Sequence, residues 1–382
     1  MKKMLGVIGG GQLGFMLTLA ANRLGIPVVV LDPNQDCPAT HAGAMQIVGK
    51  FTDTNRLRQL ADRGTAGVTV EIEHVGVETL QQLVATGYEI NPAPSALALI
   101  RDKYTQHRMW LEHDLPTPRI MTVDGSLGGA VFAARKAWET QKLVVKTRFG
   151  GYDGRGTAFI STDEDIKTAV RKVGDQHLYL EEAIPVAREI AVIMYRDYTG
   201  TVGHYPVIET FQQEGICHHA MMLGHQDANL DRRATNLGRK VMEHLEGRGV
   251  FTIEMFVTGE GDIFINEVAP RVHNAGHLTV EGCETSQFEQ HVRCVVGLPA
   301  GRPNSRHLHN GVAMVNVLGN RNANANPQGL EHALQIPGVS FTDYWKDEVR
   351  EGRKMGHFVC VDPRGPQYAL KGAQEARRRF TI

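Results

Sequence analysis

Residues 250–277 read VFTIEMFVTGEGDIFINEVAPRVHNAGH. Two strand-like runs, Val250–Val257 and Ile263–Val268, flank Thr258-Gly259-Glu260-Gly261-Asp262, which has the composition of a hairpin turn. A turn centred on Glu260-Gly261 sets Glu254 opposite Glu267, with Asn266 beside it. Like charges directly across an antiparallel pair repel, so this arrangement calls for a compensating partner. Magnesium suits it, as a hard cation that takes carboxylate oxygens and completes its shell with water and substrate phosphates. The stretch by itself leaves two other readings open, a solvated surface hairpin and a register slipped by one residue, because only the turn chemistry sets register. The residues that follow favour the metal reading. Arg271, His273, Asn274 and His277 crowd around Pro270 and Gly276 just after Glu267, and so many donors beside a metal read as a substrate pocket.

A chain of 382 residues is expected to form two or three domains. With 41 Lys and Arg against 42 Asp and Glu, the net charge of −1 offers no electrostatic case for a nucleic-acid or membrane partner. The closing Arg377-Arg378-Arg379 reads as a solvated helix end. The five cysteines, Cys37, Cys217, Cys283, Cys294 and Cys360, are scattered and form no CxxC. That argues against a disulfide framework and a zinc site, and it fits a reducing cytoplasmic compartment. The apolar run before Gly9 is too short for a signal peptide, and no run approaches membrane-spanning length. His218-His219 and His307-Leu308-His309 lack partners at ligand spacing, so a transition metal is not expected.

From the N-terminus, strand Met4–Ile8 runs into Gly9-Gly10-Gly11-Gln12-Leu13-Gly14. Leu13, Met16, Leu17, Ala20 and Leu24 then keep helical spacing as far as Gly25, and strand Val28–Leu31 ends in Asp32. This G-x-G-x-x-G opening offers backbone N–H groups and a helix N-terminus to an anion, either a dinucleotide pyrophosphate or a lone phosphate. Strand Val68–Ile72 carries Glu71 and Glu73 at its end, where Glu73 either meets the ligand of the glycine turn or is solvated. A helix through Leu80 and Leu83 and a strand Glu89–Asn91 complete this unit. Pro92-Ala93-Pro94-Ser95 reads as a linker, with Ser95 capping one helix that bears Leu97, Ile100, Tyr104 and Leu111. The expected boundaries are 1–94, 95–300 with a lid at about 119–182, and 301–382.

Strand Leu143–Val145 leads to Lys146 and then to Thr147-Arg148-Phe149-Gly150-Gly151-Tyr152-Asp153-Gly154-Arg155-Gly156, before strand Thr157–Ile160. This is either a lid over phosphates or a glycine-rich hairpin tip with solvated arginines. It is not a P-loop, which carries GK[ST] and opens a helix. Strand Leu178–Leu180 ends in Glu181-Glu182-Ala183-Ile184-Pro185, and Glu189 opens the next strand. That junction could hold a base and a ribose, or be a mobile loop.

The order GGGQLG, RDKYTQHR, VVKTRFGGYDGRG, LEEAIP, IEMF, INEVAPRVHNAGH, TSQFEQHVR and GRKMGH resembles the N5-carboxyaminoimidazole ribonucleotide synthetase family of ATP-grasp enzymes of purine biosynthesis. The resemblance runs from Gly9 to about His357. It implies an α/β (α+β) fold of ATP-grasp architecture, with a Rossmann-like N-terminal domain, a central ATP-grasp domain with a lid, and a small C-terminal domain. It implies ATP contacts from Lys103, Lys146, Gly151, Gly154, Gly156, Thr157, Glu181, Glu182, Ala183, Ile184, Glu189, Gln212, Asn266 and Glu267. Glu254 and Glu267 would carry magnesium, one ion or two. Catalysis would fall to Tyr152, Asp153, Arg155, Arg271, His273 and Lys354. Gln12, Leu13, Glu73, Asn274, Arg353 and Lys354 would hold 5-aminoimidazole ribonucleotide, and bicarbonate would be activated as carboxyphosphate. Family members are commonly cytoplasmic homodimers. Phe15, His107, Gln212 and Ala275 differ from the usual pattern, and none is a metal ligand or phosphate lysine. Two other classes remain open from the sequence, a related ligase with a different amine acceptor and an NAD-dependent oxidoreductase.

Overall fold

The structure is a computed structural model and describes residues 3–151, 154, 156–174, 177–223, 227–304 and 311–382. Of the residues singled out above, Tyr152, Asp153, Arg155 and the segment 307–309 lie outside the described residues.

Four short apolar runs form a parallel sheet in the order Met45–Val48, Val28–Asp32, Leu5–Ile8, Gly67–Val70. Strands covered on both faces need no polar alternation, which is why VVVLD is apolar up to its last residue. Helix Gln12–Arg23 starts directly after Gly11 and buries Leu13, Met16, Leu17 and Ala20. The sequence reading missed the Met45–Val48 strand and helix Thr54–Arg63, whose first amides are capped by the Asp53 carboxylate. The expected strand Glu89–Asn91 shrinks to a single bridge between Ile90 and Val68. Pro92 follows at once and has no N–H for a ladder.

The one helix expected after Ser95 is two, Pro94–Arg101 and Lys103–Glu112. Asp102 separates them. It is extended at φ −99 and ψ 100, its carboxylate accepts from the Thr105 amide, and it pairs with Arg148. Ser95 does not cap; its hydroxyl donates to Glu246 at 2.6 Å.

A second, antiparallel sheet runs Ile120–Thr122, Leu178–Glu182, Leu143–Thr147, Thr157–Ile160, backed by helices Leu127–Trp138 and Glu164–Val173. The largest sheet has nine strands. Its path is Ile263–Ala269, Gly249–Thr258, Val186–Arg196, Ile208–Gln213, Ile216–Met222, Gly311–Leu318, Lys354–Asp362 and Val339–Asp343, with Val202–His204 beside Val186–Arg196. The C-terminal strands therefore extend the central sheet, through pairing of Ile216–Met222 with Gly311–Leu318. One apolar cluster joins Leu17 and Val30 of the N-terminal unit, Ile193 and Tyr205 of the central sheet, and Met314 and Val359 of the C-terminal strands. All five cysteines are buried. Among the described residues no helix is long and apolar enough to cross a membrane.

Candidate active site

The hairpin consists of Gly249–Thr258 and Ile263–Ala269, and its register sets Glu254 opposite Glu267. The turn is centred one half-step earlier than expected, on Glu260, with the Thr258 amide bonded to the Asp262 carbonyl at 2.9 Å. Continued regularly, that turn would put Asn266 across from Glu254. A β-bulge corrects it: Met255 pairs with Ile265 and Glu254 with Glu267, which leaves Asn266 as the extra residue. A bulge re-aims side chains. Here it lets two consecutive residues meet the same lysine pair, with Lys103 donating to Glu267 and Lys146 donating to Asn266 Oδ1 at 3.1 Å.

Lys103 opens helix Lys103–Glu112, and Lys146 lies in strand Leu143–Thr147, so the two ammonium groups reach the hairpin from different elements. Lys146 also pairs with Glu181 Oε2 at 2.8 Å. Glu181 is 2 % exposed and receives His107 Nε2 at 3.1 Å and the Tyr179 hydroxyl at 2.7 Å. Burial works against its charge, but Lys146 and His107 outweigh burial and hold it well below the ordinary carboxylate range. Its side chain thus already has three partners, Lys146, His107 and Tyr179. Glu182 is likewise taken, by Arg119 at 2.7 Å. The Glu182 and Ala183 amides are bonded to the Arg119 and Lys142 carbonyls at 2.9 and 3.3 Å and the Ile184 carbonyl accepts the Val186 amide at 2.9 Å, while the carboxyl of Glu189, next along the chain, is raised by burial. Gln212 stands half-buried at a bulge between Ile208–Gln213 and Ile216–Met222. Thr157 pairs across the strand with Lys146, and the Gly156 carbonyl accepts the Thr147 amide at 2.8 Å, so the glycine loop returns directly onto the lysine strand. Gly154 and Gly156 take φ +71 and +80 within it, and Gly151 is half-buried at its start.

Electrostatics divide the two hairpin acids. Burial opposes ionisation of Glu267, yet the Lys103 and Lys146 charges pull it down. Glu254 is pushed up by burial, then by Glu267 and Glu189, which together outweigh the Lys103 and Lys354 charges. Two carboxylates and an amide oxygen are a hard donor set, and the repulsion that Glu267 and Glu189 place on Glu254 is what a divalent cation relieves. The residues present therefore fit magnesium. Among the described residues no group of three or more His, Cys, Asp or Glu is gathered for a metal, so any further ligands would come from phosphate and water.

On the acceptor side the glycine turn departs from expectation. Gly11 and Gly14 amides both donate to the Glu71 carboxylate, and the Gly10 amide donates to Asp32 Oδ2 at 2.9 Å. The chain's own acids occupy the N–H groups that a pyrophosphate would need, which removes the basis for the dinucleotide reading. Glu73, expected at that turn, instead pairs with Arg271 at 2.8 Å. Gln12 is half-buried at the first helical position and Leu13 points into the core. His273 Nδ1 accepts from the Ala275 amide at 3.4 Å, and its Nε2 lies 3.3 Å from Glu254. Burial, with Arg271 and Lys354 nearby, lowers it to about 3, so it is a neutral donor to Glu254. Lys354 contributes charge to the same place through Glu254 and His273. The Arg353 guanidinium is turned away onto the Glu348 carbonyl at 2.7 Å. Asn274 exchanges amide hydrogen bonds with Asn316 at 3.1 and 2.7 Å, which makes it a brace for the loop.

Several of these partners escaped the sequence reading. His107 lies four residues after Lys103, a spacing that puts both on one helix face and could have been read. Asn316, a lone polar residue in the apolar run VAMVNVL, signalled a buried hydrogen-bonded group. Glu71 gave no signal for its role, because nothing local marks which acid will fill a glycine turn.

His357 is buried, receives the Tyr344 hydroxyl at 2.8 Å, and is lowered by burial to about 3. Its unfolded value of about 6.5 means that the unfolded chain takes up a proton between pH 6.5 and 3 that the folded chain refuses, so its stabilising contribution is present above 6.5 and lost as pH falls. The stability gap between wild type and His357→Gln is expected to narrow by about 1.4 kcal/mol from pH 7.5 to 5.5, about 1 pKa unit of linkage. Urea titrations at the two pH values measure it, and a constant gap would show that His357 is not held neutral.

Comparison with known proteins agrees with this geometry. Residues 1–101 match the ribonucleotide synthetase preATP-grasp domain, residues 108–288 the ATP-grasp domain, and residues 312–368 the phosphoribosylaminoimidazole carboxylase C-terminal domain. The chloroplastic phosphoribosylaminoimidazole carboxylase of Vigna aconitifolia is 38% identical over 94% of this chain, and the match spans 64% of that longer protein. The crystal structure of N5-carboxyaminoimidazole ribonucleotide synthetase from Thermotoga maritima superposes with a TM-score of 0.88 at 37% identity, covering 100% of this chain and 99% of that one. The Aspergillus clavatus N5-carboxyaminoimidazole synthase, solved in complex with ADP and 5-aminoimidazole ribonucleotide, gives 0.88 at 32% identity over 98% and 97% of the two chains. With its preATP-grasp, ATP-grasp and C-terminal parts in this order, the chain belongs to the N5-carboxyaminoimidazole ribonucleotide synthetase family of ATP-grasp proteins.

Proposed function

We propose that the protein is an ATP-dependent ligase that carboxylates the 5-amino group of 5-aminoimidazole ribonucleotide, using bicarbonate, in purine biosynthesis. The observation that carries this reading is the bulged hairpin, which brings Glu254, Asn266 and Glu267 together with Lys103 and Lys146 on one side and His273 and Arg271 on the other. The ligands of the Aspergillus relative support the acceptor's identity.

In this reading Lys103 and Lys146 hold the terminal phosphates and neutralise charge as a bicarbonate oxygen attacks the γ-phosphorus and the bond to the ADP oxygen breaks. Magnesium held by Glu254 and Glu267, with Asn266, supplies charge neutralisation at the phosphate oxygens when bound. Carboxyphosphate then separates into carbon dioxide and phosphate. The amine lone pair bonds to the carbon of carbon dioxide and the nitrogen passes a proton to the phosphate just released, leaving a carbamate. Glu73 and the Gln12 and Leu13 turn orient the ribonucleotide, Arg271 and Lys354 line the passage between the two half-sites, and the Gly151–Thr157 loop excludes water. Tyr152, Asp153 and Arg155 complete the catalytic set in this proposal. We place the enzyme in the cytoplasm as a homodimer.

The test is ADP formation by the purified protein with Mg-ATP, bicarbonate and 5-aminoimidazole ribonucleotide, each of the last two omitted in turn. ADP release is expected to depend on both. Turnover that ignores the ribonucleotide but responds to another amine would assign a different acceptor.

A further inference from the structure

Helix Gln287–Val295 is wedged between the N-terminal sheet and the hairpin strand Gly249–Thr258, and one polar side chain on it touches both. His291 is wholly buried. Its Nδ1 accepts the Val250 amide at 2.9 Å, at the base of the hairpin, and its Nε2 lies 2.7 Å from the Thr69 hydroxyl in strand Gly67–Val70. Since Nδ1 accepts an amide proton, the ring hydrogen sits on Nε2 and is donated to Thr69. Burial keeps the ring neutral by lowering it to about 3, so this tautomer is the working one.

The backbone is cut to admit this contact. Gly249 and Gly67, the first residues of the two strands, take φ +120 and +135. A Cβ on Gly249 would stand 2.9 Å from His291 Cε1 and 3.0 Å from Nδ1, and one on Gly67 would stand 3.1 Å from the Val295 carbonyl oxygen. Only residues without a side chain let both strands close on the helix.

From this shared base the strands diverge to opposite halves of the site. Gly67–Val70 delivers Glu71, which closes the glycine turn, and Glu73; Gly249–Thr258 delivers Glu254. At the far end the Glu73–Arg271 pair ties the halves together again. The two arms are thus fixed at both ends, at the bottom by a rigid ring with two directed hydrogen bonds.

Taking the proposed reaction as given, we propose that His291 is a positioning residue that registers the acceptor-binding half of the site against the metal hairpin, so that carbon dioxide is captured by the amine before it escapes. A displacement of about 1 Å between reacting groups can cost on the order of a hundredfold in rate. Once the ribonucleotide is bound, loss of register would spare the phosphoryl transfer carried by the hairpin and the lysines and penalise capture by the amine. The signature is uncoupling of ATP cleavage from carboxylation.

The experiment measures ADP released and bicarbonate carbon fixed into ribonucleotide in the same reactions, for wild type, Thr69→Val, Thr69→Ser and His291→Asn. Thr69→Val removes the hydroxyl with little change of shape, and it carries the test if His291→Asn does not fold. Wild type is expected to release close to one ADP per carbon fixed. In Thr69→Val and His291→Asn the ratio is expected to rise at least threefold, and KM for the ribonucleotide to rise while KM for ATP holds. Thr69→Ser, which keeps the hydroxyl, is expected to restore the wild-type ratio. A purely structural role would lower both products in proportion, and an unchanged ratio in Thr69→Val overturns the proposal. Wild-type protein that fixes no carbon into the ribonucleotide would overturn the assigned reaction, and this inference with it.

Discussion

In Glu267→Gln, ADP formation is expected to fall by about three orders of magnitude, roughly 4 kcal/mol of transition-state stabilisation, with the far-ultraviolet circular dichroism unchanged. Under the proposed function the carboxylate would have two jobs that glutamine cannot do, presenting charge for magnesium and holding Lys103, which donates to it, at the phosphates. Burial disfavours the Lys103 charge, and Glu267 reverses that and raises it above the ordinary lysine value. Glu254→Gln is the informative companion. It should lose comparable activity, but in metal-free protein it removes a carboxylate that faces Glu267 and Glu189 with repulsion. Its denaturation midpoint should therefore rise, whereas that of Glu267→Gln should fall. Near-normal turnover in either variant sinks the metal assignment.

Glu181→Ala is expected to destabilise the protein by about 3–5 kcal/mol, the usual cost of breaking a buried ion pair by removing one partner. Three groups lose their common acceptor at once: Lys146, His107 and the Tyr179 hydroxyl. Among the described residues Lys146 then keeps the Asn266 hydrogen bond alone, so ATP affinity should fall along with stability. Glu181→Gln, which keeps an acceptor oxygen but no charge, should lie between the two. Urea denaturation with Mg-ATP absent separates the stability effect from ligand binding. A loss below about 1 kcal/mol, the scale of an exposed pair, would return Glu181 to the role of a ligand contact.

The sequence reading reached the pairing of Glu254 with Glu267 from a turn centre half a step late, and the bulge at Asn266 made up the difference. The mechanism of that pairing was hidden. A bulge at Asn266 is invisible to a period-two pattern, since it alters no residue type and only adds one position to one strand. Lys146 was legible as a charge before a glycine-rich loop, whereas Lys103, inside what read as one helix, came only with the family resemblance, and the Glu181 triad was not legible, because a buried carboxylate in LEEAIP looks the same as a solvated one. The glycine turn misled for a related reason. Its spacing specifies free amides and a helix terminus, while the anion that fills them, Glu71, comes from a strand far along the chain and is chosen by tertiary packing. The helix break at Asp102 was readable in principle, as an N-cap followed by Thr105, and was overlooked in favour of uninterrupted apolar spacing.

The central sheet passes through Ile216–Met222 to Gly311–Leu318, strands separated by helix Ala228–Glu243, the whole hairpin and the helices that follow it. During synthesis, the Ile216–Met222 strand emerges long before its neighbour exists. Until the last strands arrive it is an open edge, with a row of unpaired amides and carbonyls able to pair with another copy. Closing it is a late, long-range step of the slow kind. The C-terminal section thus covers that edge only once it has been made, and a fragment ending near residue 300, which leaves the edge open, is a poor candidate for an autonomous ATP-binding unit.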